Sequence, residues 1–594
     1  MRFSALLLTM AAFSQTPPPL DSRNTDIPHT DTHFSPKAFW RYSSHGTLPQ
    51  WEERKAFLRR QILSAAGLDP LPPKAPLNPI FTKRMERDGY VIENVLLETY
   101  PGYYLGGNLF RPLGKKGKFP GILLAHGHAD NGRLENTELA SPPSFGISMA
   151  RQGYVVFSYD MVGWNDTKQT IHEFGGPREL IWGFGPLGVQ LWNSIRVLDF
   201  LQSLEDVDPE RIAMTGWSGG GTQTFVMTAV DDRVKVSAPV DMVSAVMQGG
   251  SPCENAPRMR IDTYNVEIAA LAAPRPMIVV SSPWDQSRFS QPEINTPIRG
   301  IYYRYGKPHL FEGVEVEAQH NYNRESREAV YRFFGKHLLN ETDATKFQER
   351  PMVIEKPEDM LALTGRKLPD NAKTYDQLFQ WWREMAVSQS EQTTDLNVLR
   401  QRMKITLSAE TPGRLLTEPG ENGHLVIGRY DKRDRIPAQW LPGAGAPLLF
   451  VHEGGVAAAA KHPEVKKAIA AKRPVLLIDA FQTGSAVAIR DRSARYFLVF
   501  NKSDDANRVQ DILTSIAFLQ KQSQEKIELR GVGKAGVWCL FAASVSQAPL
   551  RLHADLNGFT GKDEDFLRAF LVPGIQRAGG LDAAMRLTAS MRQN

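Results

Sequence analysis

Arg211-Ile-Ala-Met-Thr-Gly-Trp-Ser-Gly-Gly-Gly-Thr222 is the stretch that decides the fold. Its first half reads as a buried strand that stops abruptly at Gly216-Trp217-Ser218-Gly219-Gly220. A helical pattern then runs from Gly221 to Val230. A strand, a G-x-S-x-G turn and a helix in that order form a nucleophile elbow, which lifts a serine hydroxyl above the sheet. Small residues flank the serine because neighbouring backbone segments come very close. The helix start offers free N–H groups that favour developing negative charge. The bare pattern is common, and the plain alternative for Ser218 is a helix N-cap. The surrounding chain therefore has to supply the rest of the argument.

Upstream, Trp51 to Ala66 has helical spacing, and Leu68 to Pro79 is a Pro-rich connector. Val91 to Tyr100 and Tyr104 to Phe110 alternate like the strands of a hairpin. Buried-strand runs separated by helical segments follow: 121–125, 154–158, the elbow strand, 234–239 and 276–281, closed by a helix over 325–339. Such alternation predicts an α/β fold with a mostly parallel sheet and helices on both faces. Ligands bind beyond the carboxyl ends of strands in these sheets. His126, Asp160, Ser218, Asp241 and Asp285 all fall at such ends.

A serine hydroxyl needs a base to take its proton, and the base needs a carboxylate to orient it. The chain order expected after an elbow serine is acid, then histidine. Asp285, in Ser281-Ser-Pro-Trp-Asp-Gln286, is the favoured acid, with Asp241 as its rival. His320, in Ala318-Gln-His-Asn-Tyr-Asn323, is the favoured base, with His309 as its rival. Two backbone N–H groups, of Gly219 and of His128 in the loop 126–129, are the expected oxyanion hole. Trp217 and Trp284 flank these positions and are candidate substrate-binding residues. His126-Gly127-His128 hints at a metal, but no third ligand stands at zinc-like spacing. No metal and no cofactor is expected.

With 594 residues, two large domains are the prior. The net charge of +5 is small against 70 basic and 65 acidic side chains, and no dense basic run is interleaved with aromatics. A nucleic-acid partner is therefore disfavoured. Residues 1–14 read as a secretory signal peptide, with Arg2 before a short apolar run and Ala12 and Ser14 before a cut at Gln15. The run is too short to span a bilayer, and no later run reaches the length needed. A secreted or periplasmic location is expected. Cys253 and Cys539 are the only cysteines, so the fold rests on its core rather than on disulfides.

Several segments resemble the α/β-hydrolase superfamily, in its bacterial acetylxylan-esterase-like and dienelactone-hydrolase-like branch. They are His126-Gly-His-Ala-Asp-Asn-Gly132, Asp160-Met-Val-Gly163, Val207-Asp-Pro-Glu-Arg-Ile212, Gly216-Trp-Ser-Gly-Gly-Gly221, Ala229-Val-Asp-Asp-Arg233, Cys253-Glu-Asn255 and His320-Asn-Tyr-Asn323. The resemblance covers residues 45–342. It implies a Ser218–Asp285–His320 triad and a small acyl ester of a carbohydrate as substrate.

The C-terminal part echoes the first. Pro447-Leu-Leu-Phe-Val-His452 parallels 120–126, Pro474-Val-Leu-Leu-Ile-Asp479 parallels 154–160, and Lys526 to Gly536 parallels the elbow. Asp160 to Gly216 is 56 residues, and Asp479 to Gly531 is 52. At the serine position stands Gly533, and no acyl-enzyme forms without an oxygen nucleophile. The expected layout is a lead-in and helix over 15–80, a catalytic α/β-hydrolase domain over 81–345, a linker with a helix over 346–399, and a degenerate, incomplete α/β-hydrolase-like domain over 400–594.

The expected activity is that of a secreted serine carboxylesterase that removes acetyl or other small acyl groups from polysaccharide or small-molecule esters. The alternatives are a prolyl-oligopeptidase-like peptidase, a dienelactone-type hydrolase, and, from another class, a non-catalytic carbohydrate-binding or scaffold protein. A peptidase of that kind needs a large N-terminal propeller, and only about 75 residues precede the first hairpin.

Overall fold

The computed structural model describes residues 46–432 and 434–592. The signal-peptide reading of residues 1–14 lies outside the described residues.

Helix α1 (Leu48–Ala65) leads into a nine-stranded sheet. Its strands are β1 (Ile80–Arg87), β2 (Tyr90–Tyr100), β3 (Tyr103–Pro112), β4 (Phe119–Ala125), β5 (Val155–Tyr159), β6 (Val207–Trp217), β7 (Val236–Val240), β8 (Met277–Ser281) and β9 (Phe311–Glu315). They lie in the order β1-β2-β3-β5-β4-β6-β7-β8-β9. The first three pair antiparallel, β3 joins β5 antiparallel, and every pair from β5 to β9 is parallel.

Helices cover both faces because the central strands are apolar on both sides. Ile122 and Leu124 of β4 face a core that includes Phe145 of α2 (Pro142–Gln152) and Val330 of α5 (Arg324–Phe334). Leu123 and Ala125 face the opposite core, with Trp192 of α3 (Pro186–Ser203) and Phe225 of α4 (Gly219–Val230). This is the α/β-hydrolase fold.

A second sheet contains β10 (Leu415–Pro419), β11 (His424–Arg429), β12 (Ile436–Leu441), β13 (Leu448–His452), β14 (Val475–Ile478), β15 (Ile527–Val532) and β16 (Leu550–Ala554). Its order, β10-β11-β12-β14-β13-β15-β16, repeats that of the first seven strands of the first sheet, with the same pattern of antiparallel and parallel pairs. Strands equivalent to β8 and β9 are missing from this sheet among the described residues. The turn after β15 also keeps the elbow. Gly533 has φ 62° and ψ −139°, against 56° and −126° at Ser218. The backbone device persists where the hydroxyl does not.

The two halves share one core. A single buried cluster runs from Trp51 through Trp192 to Trp382, Phe541 and Leu587. In the connecting segment, α6 (Tyr375–Gln392) buries Leu378, Phe379 and Trp382, and Trp382 Nε1 donates to Trp182 O at 2.9 Å. The aromatic stretch 378–383 therefore packs on the first sheet's helices. Backbone hydrogen bonds also cross between the halves, from Arg258 to Leu498 (2.7 Å), Arg260 to Val499 (3.0 Å) and Gly574 to Leu180 (2.8 Å).

Candidate active site

Ser218 follows β6 and stands at the N-terminus of α4, in a positive-φ conformation that an L-residue adopts at a cost of about 1–3 kcal/mol. Two backbone bonds hold the turn: Ser218 N donates to Val240 O of β7 (3.1 Å), and Thr222 N donates to Ser218 O (3.0 Å). Close packing demands glycine beside it. A Cβ on Gly220 would lie 2.2 Å from Ala125 O and 2.6 Å from His126 O. The loop after β4 is thereby pressed against the elbow. Gly219 N–H is in the first turn of α4, where no intrahelical acceptor exists. The imidazole of His128 lies against Gly219, since a Cβ there would be 2.4 Å from His128 Cε1.

Asp285 and His320 come from the loops after β8 and β9. His320 Nδ1 is 3.1 Å from Asp285 Oδ1, and Asp285 is nearly buried. The ring N–H points off the direct line, so the contact is a close approach rather than an aligned hydrogen bond. Such contacts tighten when substrate is bound. Burial opposes the imidazolium, but the Asp285 carboxylate, with Asp241 and Glu254 behind it, outweighs that and holds His320 above its ordinary value. The Trp217 ring lies 5.4 Å from the His320 ring and fills the space beside Gly127, where a Cβ would lie 2.6 Å from it. Trp217 is only 8% exposed, which leaves little of its ring for a substrate, whereas Trp284 is 67% exposed beside Asp285.

The rivals sit elsewhere or are otherwise engaged. Asp241 is buried and accepts from Ser282 Oγ (2.9 Å), Ser287 Oγ (3.2 Å), Asn321 N (2.8 Å) and Asn321 Nδ2 (3.2 Å). It ties together the loops that carry Asp285 and His320. Burial first, and the neighbouring Asp285 charge second, push its carboxyl up to about 7. His309 is exposed just before β9, at the amino end of the parallel strands and so on the opposite edge from Ser218. His126 is buried and acts as a brace: Met161 N donates to its Nε2 (2.8 Å) and its Nδ1 donates to Gly127 O (2.7 Å). Burial pushes it down to about 3, so it stays neutral. Asp160 is spent on the buried Arg133 guanidinium, which also holds Asp166 (2.6 Å) and Asn108 (2.9 Å).

Three side chains that sequence reasoning did not bring to the site stand beside His128: His172, Ser251 and Cys253. They lie on loops 44 to 125 residues away in sequence, and only the Cys253-Glu-Asn255 resemblance pointed there. The second sheet's half also reaches this loop, through Tyr496 Oη donating to Gly250 O at 3.2 Å. An apolar cavity of about 330 Å³ lies beyond it, between the halves, against Phe174, Phe184, Pro252 and Tyr496.

An elbow serine on a mostly parallel sheet, with Asp285 and His320 in the loops after β8 and β9, is the arrangement of the α/β-hydrolase fold. Residues 85–243 match the family model described as acetyl xylan esterase (AXE1). "Putative hydrolase YtaP" of Bacillus subtilis (strain 168) is 30% identical over 203 residues, which is 32% of this chain. The chain spans 65% of that relative's length. Among solved structures, Methylesterase BT1017 is 28% identical with a TM-score of 0.50, covering 62% of this chain and 82% of its own. A glucuronoyl esterase from Solibacter usitatus is 14% identical with a TM-score of 0.38, covering 49% of this chain and 94% of its own.

Proposed function

We propose that the protein is a serine carboxylesterase that cleaves small ester groups from carbohydrates. The 3.1 Å approach of His320 to Asp285, at strand ends beside an elbow serine, carries this reading. Ser218 Oγ attacks the ester carbonyl as His320 takes its proton, and Asp285 stabilises the imidazolium. The Gly219 and His128 N–H groups receive the negative charge on the carbonyl oxygen. His320 returns the proton to the leaving alcohol, and water, activated in the same way, hydrolyses the acyl-enzyme. Residues 81–345 do this chemistry, while residues 400–594 buttress the core and the 250–254 loop. A signal peptide at 1–14 would export the protein.

The acetyl xylan esterase match favours acetyl esters of sugars. The likeness to Methylesterase BT1017 favours a second substrate class, methyl esters, in which the acid's acyl group passes to Ser218 and methanol leaves. A panel of acetylated xylan, a methyl-esterified uronate polymer, a dienelactone and peptide anilides separates these. Release of acetate or methanol with no anilide cleavage is expected. Anilide cleavage alone would move the protein to the peptidases, and no turnover of any member would favour the binding-protein reading.

The pH profile has a fixed sign. His320 must be neutral to act as base, and its folded value lies above 6.5. The kcat/KM for a non-ionising ester should therefore rise with pH along an acid limb whose midpoint lies above 6.5, as the free enzyme deprotonates. A midpoint well below 6.5 would show that the Asp285 carboxylate does not act on this imidazole.

A further inference from the structure

His128, His172 and Cys253 bring three donor atoms to one point. His128 Nε2 lies 3.2 Å from His172 Nε2 and 3.1 Å from Cys253 Sγ, and all three ligand atoms are within 4.8 Å of one another. Each comes from a different loop beside the elbow, those after β4 and β5 and the one around 250–255. Cys253 is fully buried, while both imidazoles keep partial access to solvent.

The tautomers are informative. His172 Nδ1 lies 2.7 Å from Val162 O, which can only accept, so Nδ1 carries the proton and Nε2 presents a lone pair to the cluster. A ligating histidine anchored by its other nitrogen to a backbone carbonyl is the usual outer support of a metal ligand. Spacing fits as well. Zn–N bonds of about 2.05 Å and Zn–S bonds of about 2.3 Å in a tetrahedron place nitrogens about 3.3 Å apart, and nitrogen and sulfur about 3.6 Å apart. The N···N distance already matches, the His128 Nε2···Cys253 Sγ distance needs to open by only about half an ångström, and His172 Nε2 and Cys253 Sγ lie within 4.8 Å. Ser251 Oγ, 3.0 Å from His172 Nε2 and 3.6 Å from Cys253 Sγ, stands beside the fourth position.

Charge fits a dication. The Glu254 carboxylate lies behind the cluster, accepting from Gly250 N (2.9 Å), Ser251 N (3.0 Å) and Thr222 Oγ1 (3.1 Å). Together with a thiolate it would balance two positive charges. A structural hydrogen-bond chain, with His128 Nε2–H donating to His172 Nε2 and the Cys253 thiol to Ser251 Oγ, is the competing account, and metal binding separates the two.

We propose that His128, His172 and Cys253 bind a divalent transition metal of the zinc type, with the fourth position open to an oxygen ligand. Binding replaces the thiol proton, Cys–SH and M²⁺ giving Cys–S–M⁺ and H⁺. The metal would pin three loops of the cleft together on the far side of the His128 ring from Gly219. Imidazole and thiolate together select zinc, cobalt and their neighbours over magnesium or calcium.

Cobalt reads this site without reference to turnover. The full chain, stripped with chelator, should take up one equivalent of Co²⁺ with a thiolate-to-cobalt charge-transfer band and a tetrahedral visible spectrum, both displaced by Zn²⁺. Cys253→Ser should abolish the band, and His172→Ala should weaken Zn²⁺ binding at least about tenfold. Cys539→Ser, buried in the second half, should change neither. A wild-type chain that binds Co²⁺ without a thiolate band overturns the proposal, as does a Cys253→Ser protein that binds Zn²⁺ as tightly as wild type. The wild-type spectrum decides even where a variant folds poorly. Cobalt bound instead by Asp241, Asp285 and His320, which also converge, would give no thiolate band.

Discussion

Ser218→Ala is expected to lower kcat on p-nitrophenyl acetate by a factor on the order of 10⁴–10⁶ and to leave KM nearly unchanged. The substitution removes one oxygen from a half-buried position at the head of α4. The elbow itself does not depend on that oxygen: its bonds to Val240 and from Thr222 are backbone bonds. Gly533 shows the same turn standing without any side chain. The loss should therefore fall on chemistry, with circular dichroism and melting temperature close to wild type. What survives would come from the Gly219 and His128 N–H groups, which still stabilise an oxyanion formed by attacking water. Equal rates in the two proteins would remove covalent catalysis at Ser218 and, with it, the esterase reading.

Ser218 and Asp285 could be singled out in the sequence because each follows a strand whose apolar run is unmistakable, whereas His320 was chosen from its place before the closing helix. Gly121 to Ala125, Val155 to Tyr159 and Met277 to Ser281 are buried on both faces, so no alternation competes with the signal. β1 and β9 were not legible for the converse reason. Ile80–Arg87 is an edge strand that buries only Met85, and Phe311–Glu315 buries only Phe311. The strands β10 to β12 share the difficulty, since β10 buries none of its residues. The repeat was legible from β13, β14, β15 and the helical segment 515–520, which parallels 197–202, and its strand order extends to strands that carried no readable pattern. Long-range convergence was the least legible feature. Nothing local to His172 or Cys253 announces that their side chains meet at His128, because loop conformation rather than periodicity brings them together. The single core joining the halves was hidden in the same way. Trp51, Trp382 and Phe541 each read as ordinary apolar residues of their own segment.

Asp285→Asn is expected to cost a factor on the order of 10²–10⁴ in kcat, and Asp241→Asn less than about tenfold. The two carboxylates converge on the same imidazole, so the contrast tests which one orients it. Like charges this close do not both ionise readily, and burial makes Asp241 the one driven upward, to about 7. Asp241 thus loses its charge more easily than an ordinary carboxylate, and the carboxylate in contact with His320 Nδ1, at 3.1 Å, is that of Asp285. An amide at 285 can present an N–H where the imidazole presents its own, favouring the wrong tautomer and withdrawing the charge that stabilises the imidazolium. An amide at 241 keeps one acceptor oxygen for the Asn321 and Ser282 donors, so its cost should appear mainly as lowered stability, at about 1–3 kcal/mol for the donor left without a partner. The pH profiles should diverge as well. Removing the 285 carboxylate takes away the chief influence raising His320, so the acid limb should move to lower pH in Asp285→Asn. Asp241→Asn removes a weaker influence of the same sign and should move it less. A large rate loss confined to Asp241→Asn, with an unmoved acid limb in Asp285→Asn, would transfer the role of acid to the end of β7 and make Asp285 a support of the loop.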